Sequence, residues 1–355
     1  MSNTQTLSST ITLYDAKDRA PLPQYGTDAP ALDSYGRRID YLRISLTDRC
    51  NLRCIYCMPA EGMTFLPQGE HLTNEELLLV VRAAAQAGFR KLRLTGGEPT
   101  LRRDLVGLIG AMKATPGIEQ IAMTTNALRL NKLAAPLARA GLDRVNISID
   151  SLDEDRFASM TRGGRIAQIW EGIRAAEEAG MRPIKLNAVV IRGLNDGEVA
   201  DLAALTIDRP YEMRFIEVMP LTGVADVAQD GVVTSAEVRA AIEARFGALE
   251  DLGAGKSDPA HRYRIAGARG NLGFISSVSD PFCETCNRMR LTSDGRLHLC
   301  LLRDDEVDLR AAIRGGASVD AIEQIIRHAV FVKPWGHGLA DGVLPTLRGM
   351  SALGG

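Results

Sequence analysis

The chain has 355 residues, of which 45% are hydrophobic and 24% are charged, and its formal net charge is −2 at pH 7. A chain of this length and composition can bury a large core, and we expect one large domain with a smaller appendage. The small net charge excludes the overall basic field by which proteins bind duplex nucleic acid or anionic membranes. Neither is expected as a partner.

The first 36 residues are rich in Ser, Thr, Asp and Pro, a composition that predicts a flexible leader. This leader is too acidic for a mitochondrial transit peptide, and it lacks the basic segment and apolar core of a secretory signal. No apolar run reaches the length of a membrane-spanning helix. These features favour the cytoplasm, where thiols stay reduced and disulfides are rare.

After the leader, short apolar stretches alternate with longer helical patterns. Helical stretches such as NEELLLVVRAAAQAG and IAQIWEGIRAAEEAG end on a glycine that can cap a helix. The connections are long enough for parallel strands, so the pattern predicts β-α units. Six strand candidates occur in the order DYLRISLT, RKLRLTGG, IAMTTNA, RVNISID, IKLNAVV and RFIEVMP.

Within these strands apolar residues alternate with polar ones, which is unusual for parallel strands covered on both faces. In the first strand, for example, Leu42 and Ile44 alternate with Arg43 and Ser45. Because successive side chains point to opposite faces, one set can pack on outer helices while the other lines a polar interior. We therefore predict an α/β fold with a partial (β/α)6 TIM-like barrel around an open lumen. The alternative is an antiparallel sheet with one solvated face.

The rhythm of the sequence changes near residue 222. TGVADVAQDGV is interpreted as a loop, and it leads to the helical stretch TSAEVRAAIEARFG and then to a smaller, mixed region. The predicted organisation is a leader over residues 1–36, the partial barrel over residues 37–221 and a smaller C-terminal domain over residues 222–355.

All six cysteines fall into two groups of three. A free cysteine is usually a small buried hydrophobic residue, but that role predicts scattered positions. A structural zinc site normally has four protein ligands, whereas each group supplies three thiols. Both groups are therefore candidates for metal centres that lack one protein ligand. The members are Cys50, Cys54 and Cys57 in the first group, and Cys283, Cys286 and Cys300 in the second.

The first group has the spacing C-x3-C-x2-C and lies just after the first predicted strand. Barrels of the α/β class place their chemistry at this carboxyl end of the strands. Three thiolates can hold three irons of a four-iron, four-sulfur cluster and leave the fourth iron open. A zinc site would need a fourth ligand, and His71 is poorly spaced for that role.

The stretch TDRCNLRCIYCMP resembles the signature of the radical S-adenosylmethionine superfamily. The resemblance implies that the open iron binds the amino and carboxylate groups of S-adenosylmethionine. It also implies that an electron from the cluster cleaves the sulfonium and yields a 5′-deoxyadenosyl radical. The segment TGGEP resembles the superfamily segment that meets the amino group. The resemblance places Tyr56, Gly97, Ser148 and Met219 in contact with the cosubstrate.

The second group has the spacing C-x2-C-x13-C, which by itself leaves zinc open because His298 could complete a Cys3His site. Together, the two groups resemble the GTP 3′,8-cyclase family, which begins molybdenum cofactor biosynthesis. The resemblance extends from about residue 37 to the C-terminus and includes CNRMRLT, KPWGH and MSALGG. One departure, Ala127 in place of glycine after TTN, concerns the local turn.

The family resemblance implies a second four-iron, four-sulfur cluster in the C-terminal domain, whose open iron meets the guanine of GTP. It also implies that Arg290 and the terminal pair, Gly354 and Gly355, take part in catalysis. The positions that match substrate contacts are Arg43, Arg93, Thr124, Lys185, Arg288, Met289 and Arg290.

The charge pattern of the strands supports a nucleotide substrate independently. A nucleoside triphosphate carries roughly four negative charges and needs several cations to offset its desolvation. Arg43, Arg93 and Lys185 occupy the polar positions of their strands. Arg288 and Arg290 share one face if the segment after the second cysteine pair is extended. The pattern predicts a cationic interior.

The implied reaction converts GTP to (8S)-3′,8-cyclo-7,8-dihydroguanosine 5′-triphosphate, in which a ribose C3′ radical attacks C8 of guanine. The implied cofactors are two four-iron, four-sulfur clusters and S-adenosylmethionine. The implied partners are an electron donor such as flavodoxin or ferredoxin and the cyclic pyranopterin monophosphate synthase that takes the product. A homodimer is one assembly consistent with this interpretation. The alternatives are a radical peptide maturase with an accessory cluster and a zinc-stabilised binding module.

Overall fold

A computed structural model describes residues 30–221, 224–255, 258–339 and 342–354. Residues 1–29 of the predicted leader, the predicted domain boundary at residue 222 and Gly355 lie outside these ranges. Within the ranges, no helix combines the length and the apolar character that a membrane span requires.

Strands and helices alternate through most of the described chain, and all six strands predicted from the sequence are present. The strands are β1 (Tyr41–Ser45), β2 (Lys91–Thr95), β3 (Gln120–Thr125), β4 (Arg144–Ser148), β5 (Lys185–Val190), β6 (Glu212–Glu217), β7 (Glu250–Ala254), β8 (His261–Arg264), β9 (Asn271–Ile275), β10 (Arg288–Leu291), β11 (Arg296–His298) and β12 (Glu306–Asp308). The α-helices are α1 (Asn74–Gln86), α2 (Leu105–Lys113), α3 (Leu130–Arg139), α4 (Glu154–Thr161), α5 (Ile166–Glu178), α6 (Val199–Asp208), α7 (Ala225–Gly231), α8 (Ser235–Phe246), α9 (Leu309–Arg314), α10 (Val319–Phe331) and α11 (Met350–Leu353).

These strands form one sheet, in the order β12-β11-β10-β1-β2-β3-β4-β5-β6-β9-β8-β7. Strands β1 to β6 are parallel neighbours, and β10 and β9 extend the parallel block beyond β1 and β6. The helical crossovers return the chain to the same edge of the sheet, as parallel pairing requires. Among the described strands, antiparallel pairing is confined to β10-β11, β11-β12, β8-β9 and β7-β8, so the antiparallel alternative is wrong for the six predicted strands.

The alternation predicted within the strands is present in the structure. Ile44, Leu92 and Leu94 are fully buried in the main hydrophobic core, beneath the helices. Arg43 and Arg93, which are register partners in β1 and β2, line a central cavity instead. Burying one Leu or Ile side chain contributes about 1.5–3 kcal/mol, so a slip of one residue would forfeit this packing along a whole strand.

The central cavity has a volume of about 440 Å³, and every one of the eight parallel strands contributes a side chain to its lining. Strands at opposite ends of the parallel block, β9 and β10, reach the same cavity. The sheet therefore curves around this interior. The α/β architecture is confirmed, whereas the description as a partial TIM-like barrel with a separate C-terminal domain stays a prediction.

The helix boundaries follow from local capping. The Thr73 hydroxyl accepts a hydrogen bond from the Glu76 N–H at 3.2 Å, and the Glu76 carboxylate accepts one from the Thr73 N–H at 2.8 Å. This capping box begins α1. Gly88 and Gly180, which follow α1 and α5, have φ of 100° and 77°. Glycine enters this left-handed region without steric cost, which ends both helices where the sequence predicts.

One predicted loop is wrong. The stretch TGVADVAQDGV contains the short helix α7. Val224 and Ala228 lie one helical turn apart and are both buried. Val224 precedes the helix and packs with Leu221 and Leu302, whereas Ala228 lies within α7 and packs with Ile191 and Val218, so the segment is held to the core at two places.

Ala127 departs from the family pattern, but the turn is formed. Ala127 takes the left-handed conformation with φ of 61°, and its N–H donates to Thr125 Oγ1 at 3.0 Å. Gly172 of α5 provides the space, because a Cβ atom there would lie 2.4 Å from the Ala127 carbonyl oxygen. The left-handed conformation costs a residue with a Cβ atom roughly 1–2 kcal/mol. The substitution therefore strains the turn without removing it.

Candidate functional site

The first thiol group lies in the cysteine loop, residues 46–67, which follows β1. The Arg53 N–H donates to the Thr161 carbonyl at 3.1 Å and the Ile55 N–H to the Met160 carbonyl at 2.9 Å, so the loop is fastened to the end of α4. The three thiols open into one cavity of about 170 Å³ at the carboxyl end of the parallel strands. Its cysteines are Cys50, Cys54 and Cys57.

The TGGEP turn after β2 packs directly on the backbone of the cysteine loop. The Gly97 N–H donates to the Thr47 carbonyl at 2.7 Å. A Cβ atom on Gly96 would lie 2.3 Å from the Thr47 carbonyl oxygen, and one on Gly97 would lie 2.3 Å from that of Arg49. Both glycines are therefore needed for close approach of two backbones. Gly97 also lines the thiol cavity, as its predicted cosubstrate contact requires.

The first cavity is an acidic environment. Its described lining contains the carboxylates Glu98, Asp150 and Glu217 and no lysine or arginine. Burial raises the pKa of Cys50 to about 11 and that of Cys57 to about 12. The thiols therefore stay protonated at neutral pH unless a bound metal stabilises the thiolates. Three thiols in one enclosed space, with no further cysteine or histidine in the described lining, fit a cluster with one open iron.

Asp150 links the cavity wall to the cysteine loop, although sequence reasoning did not assign it to the site. Its Oδ2 accepts a hydrogen bond from the Tyr56 hydroxyl at 2.7 Å, and its Oδ1 accepts one from the Val189 N–H at 2.9 Å. Burial raises the pKa of Asp150 to about 6. Ser148 and Met219 line the same cavity, so the structure brings all four predicted cosubstrate contacts together.

The second thiol group is assembled from two segments. Cys283 and Cys286 lie on a short helical turn before β10, whereas Cys300 follows β11. All three line a cavity of about 90 Å³. Arg37 donates to the Cys283 carbonyl at 2.7 Å and thereby holds this turn to the start of the described chain.

Cations surround the second group. Lys333 and Arg288 line its cavity. Burial raises the pKa of Cys286, but the charges of Lys333 and Arg288 outweigh burial and leave this pKa below its usual value. For Cys300 burial prevails, and the pKa is raised. A set of three thiols, of which Cys286 has a lowered pKa, fits a second cluster.

His298 does not take the place that a Cys3His zinc site requires. Its ring is 1% exposed, lies in β11 and has Glu306 Oε2 at 3.9 Å from Nδ1, but it is absent from the described lining of the thiol cavity. His337 of the KPWGH segment lines that cavity instead. Among the described residues, no three His, Cys, Asp or Glu side chains are close enough together to hold a single metal ion.

Between the two thiol cavities lies the central cavity, which is strongly cationic. Asp258 is the one carboxylate in its described lining. Its Oδ2 lies 2.8 Å from Arg214 Nη2 and 3.6 Å from Lys185 Nζ, and Lys185 also bonds Glu212 at 2.9 Å. The cations of the lining are Arg43, Lys91, Arg93, Arg144, Lys185, Arg214, Arg288 and Arg290.

Arg93 is held by residues of two neighbouring strands. Its Nε donates to the Tyr41 hydroxyl at 2.5 Å, and its Nη1 lies 3.5 Å from Thr124 Oγ1. Burial lowers the pKa of Arg43, and the charges of Arg290 and Arg93 lower it further. Burial disfavours the Tyr41 phenolate, but the charges of Arg93 and Arg43 lower the pKa of Tyr41 to about 8. The cavity thus favours an anionic occupant.

The C-terminal segment reaches the central cavity. Arg290 Nη1 donates to the Gly354 carbonyl and lies 3.4 Å from that of Leu353. Gly354 is buried with φ of 74°, and a Cβ atom there would lie 2.4 Å from Thr95 Cγ2. Glycine therefore fits where another residue would clash. Met289 lies on the opposite face of β10, in the hydrophobic core, so any substrate contact would come from its backbone.

The three cavities share walls. Met219 contributes to all of them, and Met350 of α11 contributes to the central cavity and the first thiol cavity. Arg288 and Arg290 line both the central cavity and the second thiol cavity. The thiol groups therefore open toward one cationic interior from two sides.

Sequence reasoning missed several residues of this interior. Lys91 shares the inward face of β2 with Arg93, Arg144 shares that of β4 with Ser148 and Tyr41 shares that of β1 with Arg43, whereas Arg214 faces inward from β6, to which no site residue was assigned. The alternation rule would have found each of them had it been applied to every strand from end to end. The loop residue Asp258 gave no such signal, because its place depends on the hairpin of β7 and β8.

A curved parallel sheet with three thiols after its first strand and a second set facing the same interior defines a radical S-adenosylmethionine enzyme. Residues 44–206 match the family model described as Radical SAM superfamily. Residues 211–339 match the model described as Molybdenum Cofactor Synthesis C.

Curated relatives identify the family. The protein named GTP 3′,8-cyclase from Pelotomaculum thermopropionicum is 49% identical over 327 residues, which cover 91% of this chain and 99% of the relative. The protein of the same name from Heliobacterium modesticaldum is 46% identical over 329 residues, which cover 91% of this chain and 100% of the relative. The chain therefore belongs to the GTP 3′,8-cyclase family, as its sequence motifs predict.

A solved structure shares the fold at low sequence identity. Streptococcus suis SuiB bound to S-adenosylmethionine superposes with a TM-score of 0.58 and 16% identity, covering 87% of this chain and 68% of SuiB. At this identity the likeness supports the fold alone.

Proposed function

We propose that this protein is a radical S-adenosylmethionine cyclase that converts GTP to 3′,8-cyclo-7,8-dihydro-GTP in molybdenum cofactor biosynthesis. One observation carries the proposal: two three-thiol sites, one acidic and one basic, open toward a single cationic cavity from two sides. Membership of the GTP 3′,8-cyclase family agrees with it. The six cysteines are the residues to which we assign two four-iron, four-sulfur clusters.

The acidic thiol cavity suits S-adenosylmethionine. At neutral pH this molecule carries an ammonium, a carboxylate and a sulfonium, so its net charge is positive. Glu98 and Asp150 are nearly fully buried in the cavity wall and offset that charge. Tyr56, Gly97 and Ser148 would bind the cosubstrate, with Met219 at the boundary to the central cavity.

The central cavity suits the triphosphate of GTP. Its cations come from the walls of a folded sheet, so they are positioned before the nucleotide arrives and lose little side-chain entropy on binding. Bonds from charged donors to phosphate are the strong class of hydrogen bond, worth about 1.5–3 kcal/mol each. Arg43, Arg93, Lys185 and Arg288 would hold the triphosphate, with Thr124 beside Arg93.

Cys50, Cys54 and Cys57 would hold the first cluster and Tyr56, Gly97 and Ser148 the cosubstrate, and together these groups would supply radical chemistry directed at ribose C3′. The protein's own contribution is to orient GTP so that C3′ faces the first cavity and guanine faces the second. Fixed orientation of this kind can supply several kcal/mol of the barrier. The shared wall at Met219 places the two cavities next to each other, and enclosure limits side reactions with water.

Arg290 and the terminal glycines are proposed as catalytic residues. Arg290 lies where the central and second thiol cavities meet and binds the Gly354 carbonyl. Its cation could stabilise negative charge that develops on the guanine during cyclisation and reduction. Gly355 is proposed to act with Gly354 on the basis of the family resemblance.

The partners are also proposed. Reduction of the first cluster requires an external one-electron donor such as flavodoxin or ferredoxin, and the product would pass to the cyclic pyranopterin monophosphate synthase. The free cysteines agree with a reducing cytoplasm. A homodimer is the assembly we propose to examine first.

The decisive experiment uses the oxygen-free protein with GTP, S-adenosylmethionine and dithionite. We expect a brown protein with about eight irons per chain and a GTP isomer of unchanged mass that carries the C3′–C8 bond, together with one 5′-deoxyadenosine per product. A colourless zinc protein would support the binding-module alternative. Formation of 5′-deoxyadenosine only with a peptide substrate would support the maturase alternative.

A further inference from the structure

Exposed arginines cluster where the first thiol group approaches the protein surface. Arg49 and Arg53 lie on the cysteine loop on either side of Cys50, and both are exposed. Arg162, also exposed, donates to the Arg53 carbonyl at 3.1 Å and to the Met58 carbonyl at 2.8 Å. Arg162 thus adds a third exposed cation to Arg49 and Arg53, and its hydrogen bonds hold the cysteine loop in place.

Two further exposed arginines extend this cluster. Arg103 and Arg49 line one surface depression, and Arg103 and Arg129 line the next. Arg129 donates to the Thr100 carbonyl at 2.7 Å and is thereby fixed next to the TGGEP turn. We call these five residues the arginine patch: Arg49, Arg53, Arg103, Arg129 and Arg162.

The charges of the arginine patch are not neutralised by ion pairs with the described residues. None of its members forms an ion pair with a carboxylate of the described residues; among other exposed arginines, Arg192, Arg245 and Arg314 form one, and Arg174 and Arg182 do not. Asp104 is the one carboxylate in the described lining of the two depressions, and Glu61 is the one exposed carboxylate of the cysteine loop. The patch is therefore positive on a chain whose net charge is −2.

The patch surrounds a short route to the first thiol group. Asn51 is exposed between Arg49 and Arg53 in the chain, and its Oδ1 accepts a hydrogen bond from Asn126 Nδ2 at 2.8 Å. The same Asn126 nitrogen lies 3.9 Å from Cys50 Sγ. A protein bound to the arginine patch would thus be separated from the Cys50 thiol by the side chains of Asn51 and Asn126.

We propose that the arginine patch is the docking surface for an acidic one-electron-transfer protein that reduces the cluster at the first thiol group. The inference rests on the proposed function, which requires that electron. One electron passes from the reduced donor to the oxidised cluster; the donor is oxidised by one electron, and no bond or proton changes place in this step. Unpaired cations steer an acidic partner to this face, and the short route explains why this face is useful.

The test compares a protein donor with a small chemical reductant. Purified flavodoxin in its hydroquinone form serves as the protein donor. Stopped-flow absorbance follows reduction of the iron–sulfur clusters in the loaded protein. We expect the double variant R49E/R103E to lower the second-order rate by about tenfold or more at low ionic strength. The difference should shrink as salt is raised, because exposed charges are screened. The Kd for oxidised flavodoxin should rise in parallel.

Matched variants separate docking from damage to the loop. R174E/R182E makes the same change of charge at exposed arginines of α5 and of the segment before β5, and it should reduce at the wild-type rate. R49K/R103K retains the charge and should retain most of the rate. Dithionite should reduce R49E/R103E as fast as wild type, with unchanged iron content.

The inference is overturned if flavodoxin reduces R49E/R103E at the wild-type rate, or if dithionite reduction is slowed to the same extent. Failure of the proposed function has a different signature. In that case the dithionite-reduced wild type would form no cyclised GTP, while the effect of the patch on flavodoxin reduction would persist.

Discussion

The two thiol groups have the same number of cysteines but opposite surroundings. The first comes from one loop and shares its cavity with Glu98 and Asp150. The second is assembled from two segments and shares its cavity with Lys333 and Arg288. Ligand number alone therefore does not set the character of such a site; the neighbouring charges do.

The pKa values express this difference. Burial raises the pKa of Cys57 to about 12, whereas Lys333 and Arg288 hold the pKa of Cys286 below its usual value despite burial. Burial disfavours the thiolates of the first group, so bound metal would have to stabilise them, whereas at Cys286 of the second group the protein cations favour the thiolate. The first site thus suits the positive charge of S-adenosylmethionine, whereas the second opens onto the central cavity, whose cations would hold the triphosphate of GTP.

Removing one thiol from each group should give the largest and most different effects. We expect C54A to abolish both 5′-deoxyadenosine and cyclised product, because the radical source is lost. C286A should abolish the product but retain measurable cosubstrate cleavage, because the first group is intact. Iron analysis should show about four of about eight irons lost in each variant. Identical loss of both products in C286A would mean that the two sites are not separable.

Removing one charge from each cavity should give an intermediate effect on one substrate only. K185M should raise the KM for GTP about 10- to 100-fold, equivalent to a lost charged hydrogen bond of about 1.5–3 kcal/mol. It should leave the KM for S-adenosylmethionine unchanged. D150N should raise the KM for S-adenosylmethionine about tenfold and leave the KM for GTP unchanged. Steady-state kinetics with each substrate varied in turn measures both, and equal effects on both substrates would contradict the assignment.

Tyr41 should give the smallest effect, visible as a pH dependence. Its pKa of about 8 lies below the usual value, so the phenolate accumulates as pH rises above 8. That negative charge beside Arg93 opposes the triphosphate, and the KM for GTP should rise up to about fivefold between pH 8 and 9, because the neutral fraction of Tyr41 falls from about one half to about one tenth. In Y41F the KM for GTP should stay constant between pH 8 and 9, because phenylalanine does not ionise. A wild-type KM for GTP that falls as pH rises would contradict the prediction that ionised Tyr41 weakens GTP binding.

The sequence alone predicted the parallel core well. The six strands and their inward and outward faces were readable because period-2 alternation and helical crossovers are local features. The sequence considered an extended segment at Arg288 and Arg290, but it did not predict that β10 pairs with β1 or that β9 pairs with β6, since this pairing depends on contacts between distant segments. Helix α7 was missed because its buried residue Ala228, and Val224 just before it, gain their packing partners only in the folded chain.

The site was predictable to the same degree. Cys50, Cys54 and Cys57 are one contiguous motif, so the sequence alone indicated a cluster there. The second group left zinc open, and only the fold shows His298 outside the thiol cavity and His337 within it. The sequence showed the charges of the strands, but the paired placement of acidic and basic cavities follows from the curvature of the sheet.

The pairing of β10 with β1 and of β9 with β6 has a further consequence for handling this protein in pieces. A fragment that ends after β6 would leave the N–H and C=O groups of both flanking strands uncovered. Such open edges recruit strands from other molecules and promote aggregation. The two regions matched by separate family models are therefore expected to aggregate when each is expressed alone. A chimera between homologues should fold only when the β1–β10 and β6–β9 pairings are both preserved.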